Sequence, residues 1–225
     1  MVKAAVLFDL DDTLYDTTHQ VTLARRSAIR AMVASGMMAS EADATKALEK
    51  VVSKEGPNYQ HHYDDMLRVL GLEDDPKIVA SGIVAYHEAK RTHLIPYPDT
   101  IPTLLALRRK KYKLGVVTDG LPVKQWEKLI RLGLANFFDT VVVESDEEKK
   151  KPSTHPFLKA ATNLKAKPED CMMVGDRLDR DVVGGKKAGM ATAYLTGGGR
   201  RQKPTKPEEE PDYIITRLDD LMSIL

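Results

Sequence analysis

The chain has 225 residues, enough for one large domain or for a core with a smaller second domain. Its apolar and charged content is that of a soluble globular protein, and a formal net charge of +1 gives no bulk attraction to nucleic acid or to a membrane surface. The single cysteine, Cys171, lies in the apolar run Cys171-Met172-Met173-Val174, which excludes an intrachain disulfide, and no apolar run is long enough to span a bilayer. The chain runs straight into an apolar segment without a signal peptide, so a cytoplasmic location is the default expectation.

The first apolar run, Ala4 to Phe8, has the composition of a strand buried on both faces, and it stops at Asp9-Leu10-Asp11-Asp12-Thr13. A helical pattern then begins at Thr17 or Thr18 and continues to about Val33, with Val21, Ala24, Ala28 and Met32 on one face and Gly36 as its stop. Ser40 with Asp43 makes a capping box before a second helix over Ala44 to Val52. Tyr59, His62, Met66 and Val69 fit a third helix ended by Gly71, and Asp75-Pro76 starts a fourth. From about 16 to 96 the chain reads as helix with no credible strand.

From Asp99 onward the pattern alternates. Helices over Thr100–Arg109, Val123–Leu132, Pro156–Asn163 and Arg180–Ala188 interleave with strands over Leu114–Thr118, Val141–Val143, Cys171–Val174 and Thr192–Leu195. Residues 197–211 read as a loop, followed by a strand over Tyr213–Ile215 and a last helix over Leu218–Ile224. Alternation of this kind implies a parallel α/β sheet of the Rossmann-like class. We therefore expect an α/β core made of residues 1–15 and 97–225, with an all-helical domain, 16–96, inserted after the first strand. The insert is expected to act as a lid, hinged near Tyr15–Thr18 and Ile95–Pro98.

Ligands of parallel sheets sit at the carboxyl ends of the strands, and each strand of this core ends in a polar signal. The first ends in Asp9 and Asp11, the next in Thr118-Asp119-Gly120. After the third come an acidic and basic loop and Lys151-Pro152, and after the fourth Gly175-Asp176, with Asp179 and Asp181 close behind. Clustered carboxylates are costly unless a cation is bound among them, which points to a Mg²⁺-type site. Carboxylates, a hydroxyl, a lysine and free N–H groups beside glycine are the parts needed to hold and transfer a phosphoryl group. The same residues at Asp11-Asp12-Thr13 also fit an ordinary helix N-cap with an acidic first turn.

The four stretches, in this order, resemble the motifs of the haloacid dehalogenase superfamily of hydrolases, and the position of the helical insert fits as well. Thr118 to Glu127 and Gly175-Asp176-Arg177-Leu178-Asp179 look closest to archaeal members described as glyceraldehyde 3-phosphate phosphatase-like. The resemblance implies Asp9 as a nucleophile that becomes an aspartyl phosphate, and Asp11 as general acid and then base. It implies Mg²⁺ held by the Asp9 carboxylate, the Asp11 backbone carbonyl and Asp176, with Asp181 just behind. Thr118 and the N–H of Asp119 would bind phosphate oxygens, and Lys151 would neutralise charge on phosphate and on Asp9. Lys149 and Lys150 compete for the lysine role, and Asp179 either faces solvent or helps the metal. His61-His62 is read as surface or structural, and Trp126 as core or interface.

The expected function is thus a Mg²⁺-dependent phosphatase of small phosphorylated metabolites, glyceraldehyde 3-phosphate or a related sugar phosphate among them. The expected partners are a small-molecule phosphate ester, with no nucleic acid and no membrane, in a monomer or homodimer. Two alternatives stay open: a 2-haloacid dehalogenase-type hydrolase, and a non-enzymatic phosphoacceptor signalling domain.

Overall fold

A computed structural model of the chain describes residues 4–197 and 202–225. It divides into two compact units, one taking in the described residues up to Thr17 and from Leu94 onward, the other Thr18–His93. Among the described residues no helix is long and apolar enough to cross a membrane. The expected loop over 197–211 lies partly outside the described residues; its visible part holds a short 3₁₀ turn at Pro207–Glu209.

The first unit is built on a six-stranded parallel sheet: β1 (Ala5–Phe8), β2 (Lys113–Asp119), β3 (Thr140–Glu144), β4 (Cys171–Gly175), β5 (Ala191–Leu195) and β6 (Tyr213–Ile215), in the order β3-β2-β1-β4-β5-β6. β1 lies inside the sheet, paired with β2 and β4, and all four of its residues are buried. Its side chains alternate between two cores, as the period of two in a strand requires. Val6 and Phe8 pack with Leu104, Leu107 and Leu129, whereas Ala5 and Leu7 pack with Phe157, Ala160 and Met173. The first set draws on α5 (Thr100–Arg109) and α6 (Pro122–Arg131), the second on α7 (His155–Asn163). Helices on both faces explain why β1 reads as an uninterrupted apolar run rather than an alternating one.

Register fixes where the polar ends fall. Phe8 is level with Val116 and Val174, and Asp119 with Glu144. Asp9 takes over where β1 ends, its N–H donating to Val174 O at 2.9 Å. The residues just past β1, β2 and β4 therefore emerge along one edge.

Two elements differ from the sequence expectation. Arg180–Ala188 is not one helix: a π-helical turn over Leu178–Val182 leads into a short α8 (Val183–Lys187). The turn is widened because Val182 N bonds Arg177 O at 3.2 Å, while Asp181 Oδ2 accepts the Arg177 N–H at 3.1 Å. The last segment, Leu218–Ser223, is a 3₁₀ rather than an α-helix. Asp220 accepts N–H bonds from Thr216 and Arg217 just ahead of it, a local competitor to helical bonding.

The second unit holds α1 (Thr17–Ala34, from Thr18), α2 (Glu41–Glu55), α3 (His62–Val69) and α4 (Pro76–Thr92). They enclose a core of their own, with Ile29, Met32, Leu48, Met66 and Leu67 nearly inaccessible. Ser40 caps α2 by accepting from Asp43 N, and Asp75 caps α4 by accepting from Lys77 N and Ile78 N. His62 Nε2 lies 2.8 Å from Gly56 O, which ties the start of α3 to the preceding turn, and His61 is exposed. His62 thus serves local structure, and His61 lies at the surface.

Candidate active site

The edge at the ends of β1, β2 and β4 opens into a cavity of about 140 Å³ bordered by Asp9, Asp11, Thr118, Lys151 and Asp176. Lys151, from the loop after β3, sits at its floor. Its ammonium has three protons, and it donates to Asp9 Oδ1 at 2.7 Å, Asp181 Oδ1 at 2.7 Å and Val117 O at 3.1 Å. Lys149 and Lys150 instead pair on the surface with Asp146 and Glu147. Of the three neighbouring lysines, Lys151 is the one brought to the other motifs.

Asp9, Asp176 and Asp181 offer carboxylate oxygens that all lie within 4.8 Å of one another, and all three residues are buried. Only Gly fits at position 175 beside them, because a Cβ there would overlap the Asp181 carboxylate. Three carboxylates against one ammonium leave an anionic surplus in a desolvated place. Burial, with repulsion from neighbouring carboxylates, pushes Asp176 up to about 8. Burial pushes Asp9 up to about 6 even against the pull of Lys151. Burial acts against the Lys151 charge, but Asp181, Asp9 and Asp119 outweigh it and raise its proton affinity. A hard divalent cation would remove the surplus, and an all-oxygen donor set suits Mg²⁺. Asp181 has both oxygens engaged, by Lys151 and by the Arg177 N–H, so it stands behind the other two. Thr13 Oγ1 donates to Asp176 Oδ1 at 3.2 Å and orients it.

Thr118 is buried at the end of β2, and Asp119 turns one oxygen to the Lys151 N–H at 3.2 Å. Of the two readings of Asp179, the structure agrees with the solvent-facing one: it is exposed and closes a two-bond pair with Arg177 at 2.8 and 2.9 Å. Of the two readings of Trp126, core or interface, its 41% exposure removes the first.

Asp11 has surroundings that sequence reasoning missed. Lys128 Nζ donates to both of its oxygens at 2.7 Å. Tyr15 OH and Thr17 Oγ1 donate to Oδ1 at 2.5 and 2.8 Å. Gln125 Nε2 reaches Oδ2 at 3.3 Å, Thr118 Oγ1 at 3.1 Å and Asp119 O at 2.6 Å. Burial alone would raise the Asp11 carboxyl, but the charge and hydrogen bonds of Lys128, then those of Tyr15 and Thr17, hold it below the ordinary range. The available signal is the spacing of Gln125 and Lys128, one turn apart on α6 beside the buried Leu129. Arg177 and Arg180 also border the cavity, and sequence reasoning gives neither a role.

A family model described as haloacid dehalogenase-like hydrolase matches residues 3–189. A curated protein of Methanopyrus kandleri named glyceraldehyde 3-phosphate phosphatase is 45% identical over 100% of this chain and 97% of its own length. One of the same name from Pyrococcus furiosus is 41% identical over 98% of this chain and 92% of its own. Among solved structures, one described as a HAD phosphatase from Thermococcus onnurineus superposes with a TM-score of 0.67 at 28% identity, covering 100% of this chain and 97% of that one.

Proposed function

The chain belongs to the haloacid dehalogenase-like hydrolase family and is a phosphoric monoester hydrolase, and from that premise we propose a Mg²⁺-dependent reaction on small phosphate esters through an aspartyl phosphate on Asp9. Glyceraldehyde 3-phosphate is the first substrate to consider, because full-length relatives at 40–45% identity carry that name. The observation that carries the reading is the surplus of buried carboxylates at Asp9, Asp176 and Asp181 around a single ammonium. A metal dication offsets that surplus, and with Lys151 it leaves cations on which an anionic phosphoryl group can be held. Attack on the carbon of a haloacid leaves the surplus without a counter-ion.

Asp9 would hold the metal together with Asp176 and the Asp11 carbonyl, and Mg²⁺ would supply charge neutralisation of the phosphoryl oxygens. One carboxylate oxygen of Asp9 forms the new bond to phosphorus as the ester oxygen departs. Lys151 neutralises Asp9 and the incoming phosphate, which otherwise repel. Thr118 and the Asp119 N–H hold phosphate oxygens. The departing alkoxide takes a proton from Asp11, and in the second half Asp11 accepts one from the water that attacks the aspartyl phosphate. Phosphate leaves and Asp9 is regenerated. The Lys128-bound carboxylate is the base form of Asp11; to donate a proton, the carboxyl has to leave Lys128.

The reading is tested by phosphate release from glyceraldehyde 3-phosphate and a panel of small esters. Turnover is expected with Mg²⁺, is lost on chelation and returns when Mg²⁺ is restored. Absence of release from every ester in the presence of Mg²⁺ would overturn it.

The contact between Lys128 and Asp11 gives a separate expectation. Lys128→Met is expected to lower kcat by roughly tenfold or more, as loss of a group that tunes a general acid–base does. KM should change little, since Lys128 does not border the phosphate cavity. Without the cation, burial raises the Asp11 carboxyl, so the acid limb of the pH–rate profile moves to higher pH. Steady-state kinetics across pH checks both; an unmoved acid limb would separate Lys128 from the chemistry.

A further inference from the structure

One cation at the cavity is ion-paired but keeps its hydrogen-bond donors unused among the described residues. Arg177 closes against Asp179, and Lys151 gives all three protons to protein oxygens. The Arg180 guanidinium makes no hydrogen bond among the described residues. Its ion-pair partner there, Asp119 Oδ2, stands 3.6 Å away, beyond hydrogen-bond distance. That Asp119 oxygen is itself buried without a hydrogen bond, so the pair is not closed from either side. Asp119 steers the guanidinium over the cavity without using its donors.

Depth decides what Arg180 meets. Thr118, Lys151 and Asp176, the groups placed to hold phosphate and metal, are almost inaccessible. The Arg180 side chain is 45% exposed and borders the same cavity from its rim. A phosphoryl group seated on the floor is already surrounded, and the part of the ester that extends outward is the leaving group. A guanidinium there presents a planar fork of donors, which a carboxylate matches with two parallel bonds and an aldehyde or hydroxyl matches with one.

Resting on the phosphatase reading above, we propose that Arg180 is a specificity residue that grips a carboxylate on the leaving group, which extends the substrate class to phosphorylated hydroxy acids. The π-helical turn over Leu178–Val182 is what brings Arg180 to the rim. It keeps Asp181 buried beneath while the adjacent side chain emerges at the mouth.

The test uses two esters with one carbon skeleton, glyceraldehyde 3-phosphate and 3-phosphoglycerate, which differ at an aldehyde against a carboxylate. The unaltered protein is expected to hydrolyse both. Arg180→Met should lower kcat/KM for the acid about tenfold more than for the aldehyde, chiefly through KM, the lower end for a charged hydrogen bond at a half-exposed site. Arg180→Lys, which keeps the charge but not the fork, should recover only part of the loss. Inhibition by inorganic phosphate should stay unchanged, because phosphate sits on the floor. In an Asp9→Asn background, calorimetric affinity for the acid should fall with Arg180→Met in the same proportion. Equal losses on both esters, or weakened phosphate inhibition, would place Arg180 on the phosphoryl group or in the fold and overturn the proposal. So would an unaltered protein that hydrolyses the aldehyde and ignores the acid. Hydrolysis of neither ester would refute the phosphatase reading itself, a distinct result.

Discussion

Asp9→Asn is expected to abolish phosphate release, by on the order of 10⁴-fold or more, while the protein stays folded. The size follows from the role. An amide oxygen is a poor nucleophile toward phosphorus, and neither neighbouring acid can take its place: Asp181 is tied to Lys151 and the Arg177 N–H, and Asp176 is placed for the metal. The fold should tolerate the change because asparagine matches aspartate in shape. Lys151 keeps Asp181 and Val117 O as acceptors and meets an amide oxygen where Asp9 Oδ1 was. Removing one of three crowded carboxylates also relieves repulsion. Thermal melting without metal should therefore show the variant at least as stable as the parent, to within about 1 kcal/mol. Turnover within tenfold of the parent would remove Asp9 from the nucleophile's place, and a collapsed melt would show that its role is structural.

How much of this is legible in the residues depends on the range of the interactions. β1 is readable because burial on both faces leaves no polar position in Val6-Leu7-Phe8, and the abrupt change at Asp9 marks where the sheet edge begins. The caps at Ser40 and Asp75 are readable because capping acts over three residues. Only the proline after it distinguishes Lys151 from Lys149 and Lys150; its burial among Asp9, Asp181 and Val117 is a product of tertiary structure. The pair Lys128–Asp11 spans 117 positions and has no local signature, since a lysine on a helix is ordinarily a solvated one. The π-helical turn reads as α-helix for a related reason: it is held by the side chain of Asp181 reaching back to Arg177, and helical propensity carries no information about that bond. Arg180 looks like one more charge in a polar run, and only the turn gives it an address.

Metal and pH should act on stability in a direction opposite to ordinary acid denaturation. The folded-state pKa values of Asp9 and Asp176 are raised, to about 6 and about 8, above the 3.8 of the unfolded chain. A raised group lets the folded protein bind more protons than the unfolded one between the two values. Its favourable contribution is therefore complete below about 3.8 and is lost as pH climbs through 6 for Asp9 and 8 for Asp176. Asp11, held low by Lys128, works the other way, contributing above 3.8 and losing its contribution as pH falls. A tenfold change in proton affinity corresponds to about 1.4 kcal/mol, and because the acids share Lys151 we take the combined loss between pH 5 and 8 as roughly 3 kcal/mol. For a chain of this size that is a fall in apparent Tm of roughly 6–12 °C in a chelator. Mg²⁺ competes with those same protons, so its stabilisation should be small at pH 5 and largest at pH 8, growing with concentration as a ligand bound only by the folded state requires. Melts at three pH values, each with a chelator and with Mg²⁺, decide the matter. A chelated protein that grows more stable from pH 5 to 8, or a Mg²⁺ effect that does not grow with pH, would mean that the three buried acids are balanced by something other than a metal. The Asp9→Asn and Asp176→Asn variants should each flatten the slope in the chelator, which ties the effect to these carboxylates rather than to the protein's surface charge.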